Sequence, residues 1–152
     1  MFKIKPIMVQ NYLEKFPNAL LNYQYIEEAL KQYIYRTDIM AVTEKYGSID
    51  TKINKKFNNA IKKIPLEILV KMFGRRNINI ELVKKLNDLP LKAKIISFQK
   101  YLSGDRNDND EKLKKQLLSF DNVLLHSENC VHELFVELGN LEKRFDDFKE
   151  KY

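Results

Sequence analysis

Residues 117–152 read LLSFDNVLLHSENCVHELFVELGNLEKRFDDFKEKY. Within this stretch Leu117, Phe120, Leu124, Ser127, Val131, Leu134, Leu138, Leu141, Phe145, Phe148 and Tyr152 follow alternating steps of three and four. That spacing keeps an apolar seam on one side of an α-helix, with one polar break at Ser127. The seam predicts a helix over about residues 109–150. Asp108 with Glu111 three residues on forms a capping box with Asp in place of Ser or Thr. Gly139 weakens the helix by roughly 1 kcal/mol relative to Ala. A helix this long must lay its seam on other helices or on a second copy of the chain.

Upstream, Pro17 suits a first helical position and predicts a second long helix over about 17–46. Leu20, Tyr23, Ile26, Leu30, Tyr33 and Ile34 form its apolar face, and Gly47 stops it. A shorter helix before it carries Ile7, Met8, Tyr12, Leu13 and Phe16. After Gly47, Ser48 or Asp50 caps a segment with Ile49, Ile53, Phe57, Ala60, Ile61 and Ile64 on one side. Pro65 opens a helix with Leu66, Leu69, Val70 and Phe73, ended by Gly74. Asn79 caps a helix carrying Leu82, Val83, Leu86 and Leu89, and Pro90 opens another with Leu91, Ile95, Phe98 and Leu102 inward. No strand-like alternation persists. The expectation is an all-α helical bundle, a single domain over 1–152, with two long helices and several short ones between them.

A chain of 152 residues can bury a core without disulfides or metal. The single Cys130 excludes an internal disulfide framework. No apolar run approaches the ~20 residues a bilayer span needs. No long apolar region follows the opening residues, so no secretory signal is expected and the chain reads as cytoplasmic.

Charge is segregated. Residues 52–102 hold 13 Lys and Arg against 3 Asp and Glu, while residues 103–152 hold 8 against 12. AT-rich codons can supply part of a lysine excess, but not its clustering. Lys52, Lys55, Lys56, Lys62 and Lys63 fall within an arc of about 120° at 100° per residue. With Arg75, Arg76, Lys84 and Lys85 they form the candidate nucleic-acid-binding set, joined by Lys71, Lys92, Lys94 and Lys100. Phosphate contacts need nothing more specific than such charges. Arg75 and Arg76 follow Gly74, where a guanidinium fork can reach a phosphate. Few aromatics interleave with the lysines, so base stacking is not expected.

Other constellations carry less. His126, Cys130, Glu133 and Glu137 share a stripe outside the seam, but one helix seldom supplies a full metal-ligand set. They read as a solvated polar face with a partly covered Cys, and no metal or cofactor is expected. Residues 105–109 match the first, third and fifth positions of a calcium loop. Asp110 and Gln116 stand where Gly and Glu are needed, so the stretch reads as a connector. Cys130 with His126 or His132 lacks an orienting group for nucleophilic chemistry. Glu27 and Lys31 sit four apart, the spacing of a surface ion pair.

The segment LLNYQYIEEALKQYI, residues 20–34, resembles the early helix of HEPN-type domains. Those small helical bundles are common in prokaryotic toxin–antitoxin and phage-defence systems. Glu27 and Lys31 match the Glu-x3-Lys element of their ribonuclease form. The Arg-x4–6-His motif of that form is missing, since neither Arg75, Arg76 nor Arg106 has a His at that distance. The stretch Asn79–Leu102 has the rhythm of the motif-bearing segment but shows Lys92-Ala93-Lys94. The resemblance covers about a third of the chain. It implies a non-catalytic member that binds RNA or a partner, with a degenerate nuclease as the activity left open.

The leading expectation is therefore a non-enzymatic module that binds RNA or DNA through residues 52–100. The alternative is a protein-interaction or inhibitor module. In it Leu134, Leu138 and Leu141 pair with another helix or a second copy, or the basic face covers an acidic surface.

Overall fold

The computed structural model describes residues 5–48, 51–104, 107 and 110–152. Among them there are only helices: α1 (Pro6–Tyr46), α2 (Thr51–Ile61), α3 (Leu66–Arg76), α4 (Ile80–Asn87), α5 (Lys92–Ser103) and α6 (Glu111–Lys151). The fold is an all-α helical bundle with one long N-terminal and one long C-terminal helix.

The residues group into two compact units, each made of two separate stretches of chain. The first comprises Met1–Gln24 and Asp88–Asn129, the second Tyr25–Asn87 and Cys130–Tyr152. Both long helices contribute to both units.

α1 begins at Pro6 and runs through Pro17, where the sequence predicts a break and a fresh start. An interior proline removes one backbone hydrogen bond and costs about 3 kcal/mol. Burial on both sides of it outweighs that cost. Val9, Tyr12, Ala19, Tyr23 and Ile26 all lie on the buried stripe, at steps that pass through residue 17 without a change of phase. Each large apolar side chain so buried contributes about 1.5–3 kcal/mol. Pro17 and Leu13, whose carbonyl it deprives of a donor, both lie on the exposed face, where water can serve. Gly47 ends the helix as expected: its φ of 77° is left-handed, and its N–H donates to the Thr43 carbonyl at 2.7 Å.

In the first unit the core is Val9, Tyr12, Ala19 and Tyr23 of α1, Ile95 and Leu102 of α5, and Leu113, Leu117 and Phe120 of α6. Tyr12 is its hub. Its ring meets Phe98 edge-on at 5.0 Å and Phe120 at 4.3 Å, and its hydroxyl donates to the Ile95 carbonyl at 3.3 Å. The polar break in the seam is accounted for here. Ser127 is fully buried, donates to the Leu124 carbonyl at 2.8 Å and accepts from Asn22 Nδ2 at 3.1 Å.

In the second unit Ile26, Leu30, Tyr33, Ile34 and Ile39 of α1 are buried with Leu69, Val70 and Phe73 of α3 and Leu82 and Leu86 of α4. Leu134, Leu141 and Phe148 of α6 belong to the same core. Tyr33 and Phe73 meet edge to face at 4.9 Å. Gly74 does not end α3, which continues to Arg76. A Cβ at Gly74 would stand 3.2 Å from Val83 Cγ1, so the glycine is where α4 comes close.

Two further helix boundaries differ from expectation, and one agrees with it. α6 is capped by Asp110, whose Oδ1 accepts the Lys112 N–H at 2.9 Å. Asp108 of the expected capping box lies outside the described residues, as do Ile49 and Asp50 ahead of α2 and most of the calcium-like stretch. α2 ends at Ile61, so Lys62 and Lys63 stand in the following turn rather than on its face. The expected Asn79 cap is present, its Oδ1 accepting the Leu82 N–H at 3.1 Å.

Candidate nucleic-acid interface

The basic residues do not act alike once folded. Residues 51–64 contain five lysines and no acid. Lys52, Lys55 and Lys56 on α2, with Lys62 and Lys63 in the turn, are all exposed. Only Ile61 of α2 is buried, Ile53 and Phe57 being half-buried, so the helix rests on a narrow apolar strip and presents its lysines outward. Among the described residues no carboxylate lies within ion-pair distance of Lys55, Lys56, Lys62 or Lys63. Lys71, Arg75 and Lys84 are exposed as well.

Arg76 and Lys85 are committed elsewhere. Arg76 Nε donates to Asp38 Oδ1 at 3.0 Å, and one of its terminal nitrogens donates to the Met72 carbonyl at 2.8 Å. The guanidinium thus ties α1 to the last turn of α3, where a cation also suits the helix dipole. Lys85 Nζ donates to Glu133 Oε1 at 2.6 Å, and that bond holds the ammonium's pKa above its ordinary value. Lys92, Lys94 and Lys100, which the sequence groups with this face, belong to the first unit.

Lys31 turns to Glu28 at 3.9 Å and donates to the Lys62 carbonyl at 3.4 Å, which fastens the α2–α3 turn to α1. Glu28, Lys31, Gln32, Tyr35, Asn58, Ile61 and Lys62 enclose a cleft of about 470 Å³ beside it.

The C-terminal seam is occupied by the chain itself. Leu134 and Leu141 are buried and Leu138 is half-buried, so these leucines do not form an open face for a partner helix. Cys130 is fully buried rather than partly covered on a polar face. An ideal helix drifts about 20° per heptad, and the buried line accordingly runs through Ser127, Cys130 and Leu134, leaving Val131 half-buried. Burial pushes the Cys130 thiol up to about 11, with the Glu133 carboxylate adding to it. Among the described residues no group of three or more His, Cys, Asp or Glu is placed to hold a metal ion.

One cluster escapes sequence reading. Asn77 and Asn79, in the α3–α4 loop, reach Glu137 on α6. Asn77 Nδ2 donates to Glu137 Oε2 at 3.1 Å and to the Tyr33 hydroxyl at 3.0 Å, and Asn79 Nδ2 donates to Glu137 Oε1 at 2.9 Å. With Arg76, Ile78, Asn140 and Arg144 these residues line a cleft of about 550 Å³. Asn79 is legible as a helix cap, but nothing in the sequence links the loop to a carboxylate some sixty residues on. No protein-family model matches this chain, and it has no significant match to any curated protein or solved structure.

Proposed function

We propose that this protein is a binding module for nucleic acid, and that Lys55, Lys56, Lys62 and Lys63 of the second unit carry the contact. One observation supports this reading above the rest. These four ammonium groups are exposed on a helix and turn without an acidic residue, and no carboxylate among the described residues compensates them. Like charges gathered without counter-ions repel one another, and a phosphate backbone relieves that repulsion while releasing its own condensed cations. The mechanism is phosphate neutralisation, with the spacing of α2 against the turn setting which backbone shapes fit. Lys52 extends the row, while Arg76 and Lys85 are structural.

The test is fluorescence anisotropy with single- and double-stranded RNA and DNA across a salt series. Four neutralised phosphates give a slope of log affinity on log salt near about −3.6 for duplex DNA and about −2.8 for single strands. Reversing Lys55, Lys56, Lys62 and Lys63 to Glu should abolish binding and leave helical circular dichroism intact. Unchanged affinity in that variant rejects the face. Absence of binding at low salt, joined to capture of an acidic protein, replaces nucleic acid with a protein surface as the partner.

A further inference from the structure

The α3–α4 loop is braced from both sides of one residue. Asn77 gives both amide protons away, to Glu137 Oε2 and the Tyr33 hydroxyl, and its Oδ1 accepts the Asn79 N–H at 2.7 Å. Asn79 donates to Glu137 Oε1, and its own Oδ1 caps α4 through the Leu82 N–H. Turning the Asn77 side chain would lose three hydrogen bonds, and turning that of Asn79 two. Ile78 between them is held at the rim of the cleft with 97% of its surface exposed. Bracing of this kind presents an apolar side chain to solvent, where folding alone gains nothing from it.

Glu137 is the second part. A carboxylate offers about four acceptor positions, and the two asparagines use one on each oxygen. Neutral amides hold it, and among the described residues no cation lies within ion-pair distance, although Arg144 lines the same cleft. The carboxylate is left with one acceptor position on each oxygen. Its natural complement is a planar group with two adjacent N–H donors. Guanine has that pair on its Watson–Crick edge, at N1 and N2. Adenine, cytosine and uracil set a donor beside an acceptor there. A guanidinium also fits a carboxylate fork, but Arg76 and Arg144 line this cleft and Arg75 is exposed on the same unit, which disfavours a cationic ligand.

We infer that this cleft holds an unpaired guanine of a single-stranded nucleic acid. Glu137 accepts its N1–H and N2–H donors, Ile78 covers one face of the base, and Arg144 meets the adjacent phosphate. The inference rests on the nucleic-acid reading and narrows it. The lysines of α2 supply affinity for any backbone, and this cleft supplies preference, as unstacked bases read on their Watson–Crick edge commonly do.

The experiment compares single-stranded uridine oligomers of about 12 nucleotides that carry one central guanine, inosine or adenine. Inosine keeps N1–H and lacks the N2 amine. The expected order is guanine over inosine over adenine, with roughly tenfold between guanine and adenine. E137Q should erase the order, because Gln places a donor where the base also donates. I78S and R144A change exposed side chains. They should lower guanine binding several-fold with circular dichroism and melting unchanged, so the inference stays testable even if E137Q loosens the loop. Equal affinity for the three oligomers, with salt-dependent binding intact, overturns the guanine site and leaves the phosphate reading standing. Stronger binding of an arginine-rich peptide than of any oligomer overturns both.

Discussion

Lys85 Nζ on α4 and Glu133 Oε1 on α6 lie 2.6 Å apart. The pair removes one lysine from the basic set and gives it a place in the second unit. K85Q should therefore reduce nucleic-acid affinity less than K55Q does, since Lys55 has no carboxylate within ion-pair distance among the described residues. The hydrogen bond raises the lysine's pKa in the folded state above 10.5. A raised value favours the folded state below the ordinary pKa, and the gain disappears as pH climbs through the folded value. Urea midpoints of wild type and K85Q should thus differ at pH 8 and converge above the lysine range. A constant difference at all pH values would assign the effect to packing.

Ser127 sits fully buried in an otherwise apolar seam, and Asn22 donates to it at 3.1 Å. S127A leaves the part-buried Asn22 amide without this acceptor, at a cost of about 1 kcal/mol. S127L adds volume where the interior is already filled, and overpacking costs about 1–3 kcal/mol. N22A combined with S127A should cost less than the two single changes together, because each removes the same bond. Additive losses in chemical denaturation would break the link between the two residues.

The seam that contains Ser127 was readable because period and length agreed over many turns. Burial of Leu117, Phe120, Leu134, Leu141 and Phe148 follows from that rhythm. The helix caps at Gly47 and Asn79 were readable for a local reason, since each depends on one residue's own conformation or side chain. Pro17 misled because a local penalty of about 3 kcal/mol is outweighed by burial on both sides of it. Gly74 misled because glycine serves close approach as well as helix ends, and only the contact with Val83 distinguishes the two. In the candidate site the lysines of residues 52–63 were legible as charge. The loss of Arg76 to Asp38 and of Lys85 to Glu133 was not, because pairing depends on which helices meet. The Asn77–Asn79–Glu137 cluster was hidden for the same reason.

Cys130 is fully buried and its thiol is pushed up to about 11 from 9.0. The thiolate is the reactive form, so a two-unit rise leaves about a hundredfold less of it at neutral pH. Iodoacetamide should modify native protein far more slowly than a free cysteine, at a rate that climbs with urea as local opening exposes the thiol. Modification at the rate of a free thiol in native buffer would show that α6 opens readily near residue 130.

Tyr12 combines burial with a single weak acceptor. Its hydroxyl reaches the Ile95 carbonyl at 3.3 Å, and burial pushes its pKa up from 10.0 to about 12. In the unfolded chain the phenol ionises near its ordinary value. In the folded state it stays neutral until the raised one. The group therefore supports folding fully below pH 10, and the support is lost as pH rises toward 12. At about 1.4 kcal/mol per pKa unit the loss has an upper bound of about 2–3 kcal/mol. Y12F removes the titration and keeps the ring between Phe98 and Phe120. Near neutral pH it should cost no more than the weak hydrogen bond, about 1 kcal/mol or less. The two urea midpoints should then draw together and cross as pH approaches 12, wild type falling faster. Parallel curves across that range would mean that water already reaches the hydroxyl.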